Sequence, residues 1–225
     1  MNRLNFSHPS LFFLILSILL RCANSSDENK KSPQQETVVP QKLSSEKRGI
    51  IKKIDSLEAK IVIAKRAKEV IIALKSKDTA RLSSLIHPDK GVRFSPYAFV
   101  DVKRDIVLKA EHIKTIFADT TKHLWGFYDG TDEEMKLSFA DYFKQFIYNR
   151  DFATAKQIGY QRIIGRGNTI NNNFEVYPGA IIVEYHFPGF DPIYDGIDWE
   201  SLRLVFEEKD GGWYLVGVIH DQWTI

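Results

Sequence analysis

Residues 201–223, "SLRLVFEEKDGGWYLVGVIHDQW", decide the fold. Two runs rich in Leu, Val, Ile and aromatic residues flank Lys209-Asp210-Gly211-Gly212. Branched and aromatic side chains suit a pleated, half-buried surface, and Asp-Gly readily adopts the left-handed backbone of a tight hairpin turn. The stretch therefore reads as an antiparallel hairpin. Working back from it, "NNFEVYPGAIIVEYHF" (172–187) and "ATAKQIGYQRIIG" (153–165) read as further strands, with "GRGN" (165–168) as a second turn between them. "VRFSPYAFV" (92–100) is an earlier strand, and "KHLWGFYDG" (122–130) is a strand or turn.

The helical signals come first in the chain. Ile50, Ile54, Leu57, Ile61, Ala64 and Ile71 form one stripe of a helix over 50–75, with lysines largely opposite. Asp78 caps a short second helix that ends near Ile86, and "KAEHIKTIF" (109–117) and "SFADYFKQFIY" (138–148) are short helices. Helices followed by a run of strands define an α+β class, with N-terminal helices packed on a curved, mostly antiparallel sheet. The domain is expected over 50–225.

The start of the chain is not part of that domain. "MNRLNFSHPSLFFLILSILLRC" has an early cation, an apolar run from Leu11 to Leu20, and then Cys22. A run of this length is half a membrane span and reads as the core of a signal peptide over 1–21. Cys22 is the sole cysteine, so an intramolecular disulfide is excluded, and it sits where a lipoprotein signal would be cut and lipidated. Arg21 departs from the small residue that such a signal carries before its cysteine. Residues 22–49 are rich in Ser, Asn, Gln, Lys and Pro and too polar to build a core, so they read as a disordered linker. As a flexible coil it reaches on the order of 25–30 Å from its anchor.

Charge is divided along the chain. Residues 42–81 carry twelve Lys/Arg against five Asp/Glu, and residues 82–225 carry fifteen against twenty-one. A nucleic-acid-binding domain needs a basic folded face, and this domain is acidic, so nucleic acid is excluded as a partner. The basic helix is read as a solvated face with a few helix ion pairs, the alternative being a face held near anionic lipid head groups.

Five segments carry a resemblance: "HPDKGVRFSPY", "LWGFYDG", "FIYNRDF", "VEYHFPGFDPIYDGIDWESLRLVFE" and "WYLVGVIHDQWTI". Together they span 87–225, and they resemble a family of small bacterial domains carried on lipoproteins and secreted proteins, to which no reaction is assigned. The order of elements resembles the nuclear-transport-factor-2-like (cystatin-like) cone, in which a curved sheet wraps a long helix around a pocket. The resemblance implies a cell-envelope location, facing the periplasm or exterior. Lipidation at Cys22 makes a lipid bilayer one partner, and the other expected partner is a small molecule or an envelope protein.

No phosphate loop, dinucleotide fingerprint or nucleophile elbow is present, and no cofactor is expected. Simple alternation puts Arg93, Ser95 and Tyr97 on one strand face, where a guanidinium, a hydroxyl and a phenol can grip an anion. His220 and Asp221 are adjacent on a strand and point to opposite faces, so they are not a catalytic dyad. Glu184 and His186 share a face, but nothing in their spacing demands a metal. "GFDPIYDGIDW" (189–199) lacks the ligand order of a calcium loop and reads as a turn-rich loop with Trp199 pinned on the core. The expected binding surface is the concave sheet face, lined by Arg93, Tyr97, Tyr185, His220 and Trp223. The leading function is a non-enzymatic, membrane-tethered binding module. Acid/base catalysis through Glu184 or His220 and a structural envelope role are the alternatives.

Overall fold

The computed structural model describes residues 57–224, and the signal peptide, Cys22, the linker and the first turns of the expected 50–75 helix lie outside the described residues. Helix α1 (Leu57–Ser76) is followed by α2 (Thr79–Leu85), whose first turn is capped by the Asp78 carboxylate, which accepts from the Arg81 amide at 2.9 Å. Strands β1 (Val92–Ser95) and β2 (Ile106–Leu108) come next, then the short helix α3 (Ala110–Ile113) and a hairpin of β3 (His123–Phe127) and β4 (Glu134–Leu137). Helix α4 (Phe139–Tyr142) continues as a π-turn through Ile147. The rest is β5 (Gln157–Tyr160), the single helical turn α5 (Asn173–Val176), β6 (Ile181–Phe187), β7 (Glu200–Lys209) and β8 (Gly212–Gln222).

The main sheet runs β2-β1-β8-β7-β6-β5. All of its pairings are antiparallel except that of β1 with β8, which is parallel. The α+β class and the mostly antiparallel sheet agree with the sequence reading. The β7–β8 hairpin turns through Asp210 and Gly211, both at positive φ, as the Asp-Gly pair demanded. A bulge between Val205 and Phe206 shifts its register by one residue. Leu215, Val218 and His220 consequently share the helix-facing side, while Val216, Ile219 and Asp221 lie on the other.

Two sequence expectations change. "NNFEV" forms a helical turn and not a strand, because Asn172 and Asn173 bond the backbone of Val100 and Ala98 instead of a ladder. "GRGN" is not a tight turn either. It belongs to the long connection between β5 and β6, whose Gly165 and Gly167 pack against the Trp199 ring on the side of the sheet away from the helices.

That connection explains the burial of both sheet faces. On one face Ile181, Val183, Leu202, Leu204 and Phe206 pack with α1, α2 and α4, and on the other Ile182, Val205, Val216 and Ile219 pack with Val100 and Tyr177. Strands covered on both faces lose the apolar/polar alternation.

The "HPDKG" stretch is turn chemistry. The His87 ring is buried, and its Nδ1 accepts from the amides of Asp89 and Lys90 at 3.2 and 3.1 Å. Gly91 has φ +75°, and a Cβ there would lie 2.5 Å from the Leu108 carbonyl oxygen. Gly91→Ala is expected to cost roughly 2–4 kcal/mol of stability, from left-handed strain plus overpacking. Urea unfolding measures this, and a loss below about half a kcal/mol counts against the backbone conformation described.

Candidate functional site

The five residues expected to line one pocket do not come together. Arg93 lies on the sheet face away from the helices, where its Nη1 donates to the carbonyls of Val102 and Asp105, both at 3.3 Å, and staples the loop after β1. Tyr97 packs its ring on Phe146 on the helix side, because the alternation that grouped it with Arg93 and Ser95 stops at the end of β1. Tyr185 is buried in the helix-side core, and desolvation raises its phenol pKa. His220 is fully buried, with Nδ1 3.3 Å from the Pro96 carbonyl and Nε2 3.3 Å from the Asn149 amide nitrogen. Desolvation pushes its pKa down to about 4, so the ring is neutral and structural at neutral pH. Trp223 is 43% exposed beyond the end of β8.

Rings fill the helix-facing side where a concave pocket was expected. Phe94, Trp125, Phe139 and Tyr142 are buried against one another, with Trp125 stacked on Tyr142 at 4.0 Å between centroids. This is a packed core.

The opposite face carries the polar chemistry. Register places Glu184 of β6 directly across from Arg203 of β7, and pairs Asp221 of β8 with Ser201, one diagonal step from Arg203. All three charged side chains are buried. Arg203 Nη2 donates to Glu184 Oε1 at 3.2 Å, to Asp221 Oδ2 at 2.6 Å and to the Gly165 carbonyl at 3.0 Å. The Glu184 carboxylate also accepts from the amides of Ile164 and Gly165, at 2.6 and 3.0 Å. A Cβ on Gly165 would lie 2.5 Å from Cζ3 of Trp199 and 2.6 Å from Ser201 Oγ, so glycine is required for this close approach. His186 lies beside the cluster with Nδ1 2.8 Å from Ser201 Oγ, and burial lowers its pKa.

Two carboxylates against one guanidinium leave this buried group with an excess negative charge. Glu184 is provided for by three donors. Asp221 is not: its Oδ1 is buried without a hydrogen-bond partner, as are Arg203 Nε and Nη1. Burial pushes the Asp221 carboxyl up to about 6, against the pull of Arg203. Directly over it lies a cavity of about 350 Å³, lined by Gly165, Arg166, Gly167, Thr169, Phe174 and Asp221. That volume is at the lower end of small-molecule sites, about 300–1,000 Å³.

Sequence reasoning weighed Glu184 beside His186 and as an acid/base candidate, weighed Asp221 only beside His220, and missed Arg203. The available signal was the arginine itself, set in "SLRLVF" between leucines in a strand that the hairpin reading already placed centrally. A charge there has to be buried and paired. Arg166 and Phe174 gave no signal, because they come to the cavity through the long β5–β6 connection.

No family model and no curated protein matches the chain. Among solved structures, a variant of a protein named Rd1NTF2_05 aligns with a TM-score of 0.29 and 13% identity, covering 72% of this chain and 95% of that one. A Xanthomonas campestris protein named as a calcium/calmodulin dependent protein kinase II association domain aligns with a TM-score of 0.28 and 14% identity, covering 68% and 79%. These scores are too low to carry an argument, and the fold class rests on the strands and helices described above.

Proposed function

We propose that the chain is a lipid-anchored binding module of the cell envelope, held through Cys22, whose domain takes up a small molecule in the cavity over Asp221. The carrying observation is the buried Asp221 carboxylate on the cavity wall, with one oxygen that no protein group satisfies. A buried acceptor without a partner costs free energy, which a ligand donor recovers on binding. The apolar run before Cys22 supports the anchor. Among the described residues, no helix is long and apolar enough to cross a membrane.

The second reading is acid/base catalysis. The observation favouring it is the Asp221 carboxyl near pH 6, poised to exchange a proton at a cavity wall. Binding is preferred because Glu184, the other carboxylate of the cluster, is held by Arg203 and two backbone amides.

A fragment screen on the full chain by amide-detected NMR tests the binding reading. Hits are expected to shift the amides of Gly165, Gly167 and Asp221, and Asp221→Asn is expected to weaken them at least tenfold. Hits confined to residues outside the cavity, or none at all, sink the proposal.

A further inference from the structure

We infer that the ligand of this cavity carries an ammonium group for Asp221 and an anionic group for Arg166, as a free amino acid with an apolar side chain does. The inference rests on the binding reading above and adds the ligand's charge pattern.

Charge balance on the cavity wall points to a cation. Arg203 is the one guanidinium between Glu184 and Asp221, its Nη2 donates to both, and one positive charge therefore stands against two negative ones, of which Glu184 is also held by two amides. Asp221 Oδ1 is an acceptor without a donor, in a residue only 2% exposed. An ammonium group supplies donors and the missing positive charge together, and in a poorly solvated site that pairing is stronger than in water.

A cation alone does not account for the rest of the lining. Arg166 reaches the same cavity from the β5–β6 connection, is exposed, and makes no ion pair among the described residues. It disfavours a simple amine and favours one bearing a carboxylate at a short distance. Phe174, 42% exposed, and Ile163 offer apolar surface on the same cavity. Buried negative, exposed positive and apolar surface match the three substituents on the α-carbon of an apolar amino acid.

The charged groups around Asp221 set the pH sense. Arg203 and Glu184 face it within the sheet, burial lowers the pKa of His186 beside them, and Arg166 lines the same cavity. Asp221 loses its proton as pH rises through about 6, whereas an amino-acid ammonium stays charged to well above that. Affinity therefore rises about tenfold between pH 5 and 7 and then levels.

The test uses three probes of one shape on the full chain: L-phenylalanine, phenethylamine and 3-phenylpropanoate. Calorimetric titration and amide-detected NMR read affinity and location. L-phenylalanine is expected to bind most tightly, phenethylamine about tenfold more weakly and 3-phenylpropanoate negligibly. Asp221→Asn removes the pH dependence and Arg166→Gln removes the preference for L-phenylalanine over phenethylamine. Binding of 3-phenylpropanoate at Gly165 and Gly167 as tightly as L-phenylalanine overturns the ammonium assignment and leaves the binding reading standing. No binding by any probe, while other fragments shift the cavity amides, overturns this inference alone. Should fragments also leave the cavity unmoved, both fail.

Discussion

Arg203→Met is expected to lower the unfolding free energy by about 3–5 kcal/mol, because removing one partner of a buried ion pair strands the other. Here it strands two. Glu184 and Asp221 share this guanidinium, and both are buried. Methionine fills much the same space, so the loss reports charge and not a hole. Adding Glu184→Gln and Asp221→Asn to Arg203→Met is expected to restore at least half of it, since neutral groups are far cheaper to bury. Urea unfolding at pH 7 of the parent, the single variant and the triple variant measures both differences. A single-variant loss below about 1 kcal/mol means that the carboxylates find solvent, and the buried triad is then wrong.

The pH sense follows from the Asp221 carboxyl near 6, above its unfolded value of 3.8. Its ionised form is disfavoured in the fold, so this group adds stability as pH falls from about 6 toward 3.8. The His220 ring, lowered to about 4 from 6.5, works the other way, and stability is lost as pH falls through that interval. The two oppose each other in the parent. Comparing Arg203→Met with the parent at each pH removes most of the His220 contribution, since desolvation and not the Arg203 charge is the main cause of its shift, and the deficit is expected to shrink toward pH 5.

Trp125→Ala is expected to cost about 3–5 kcal/mol, the usual range for emptying a buried aromatic site. The indole is 1% exposed, stacks on Tyr142 with planes 14° apart, meets Phe94 edge-on and donates from Nε1 to the Leu137 carbonyl at 2.9 Å. Truncation also leaves that carbonyl without its donor. The vacated space is lined by rings and stays dry, so added indole should return part of the stability, as apolar guests do in engineered cavities. Thermal unfolding with and without indole checks this. A loss of 1 kcal/mol or less, with no response to indole, means that the rings do not fill this side of the sheet.

Most of the architecture was legible in the sequence because it is local. Asp210-Gly211 dictated its own turn, Asp78 its own cap, and the run from Leu202 to Phe206 its own strand. The faces were harder to read. One bulge after Val205 moved Leu215 and Val216 to sides that strict alternation denies them, and the end of β1 separated Tyr97 from Arg93. The cavity was not legible, since Asp221 meets Arg166 and Phe174 only through a long connection whose path depends on Gly165 passing the Trp199 ring. Nothing in a loop's composition records the surface it crosses.

The parallel pairing of β1 with β8 also bears on how the chain reaches its native state. Arg93 meets Gly217, so the first strand of the sheet waits for the last. A growing chain can form α1, α2 and the β1–β2 pair, but the edge of β1 that β8 covers stays open until β8 is available. Assembly of the sheet is therefore deferred until Gly212–Gln222 can pair. β8 is thus the closing element of this sheet, and a chain cut before it leaves the β1 edge unpaired.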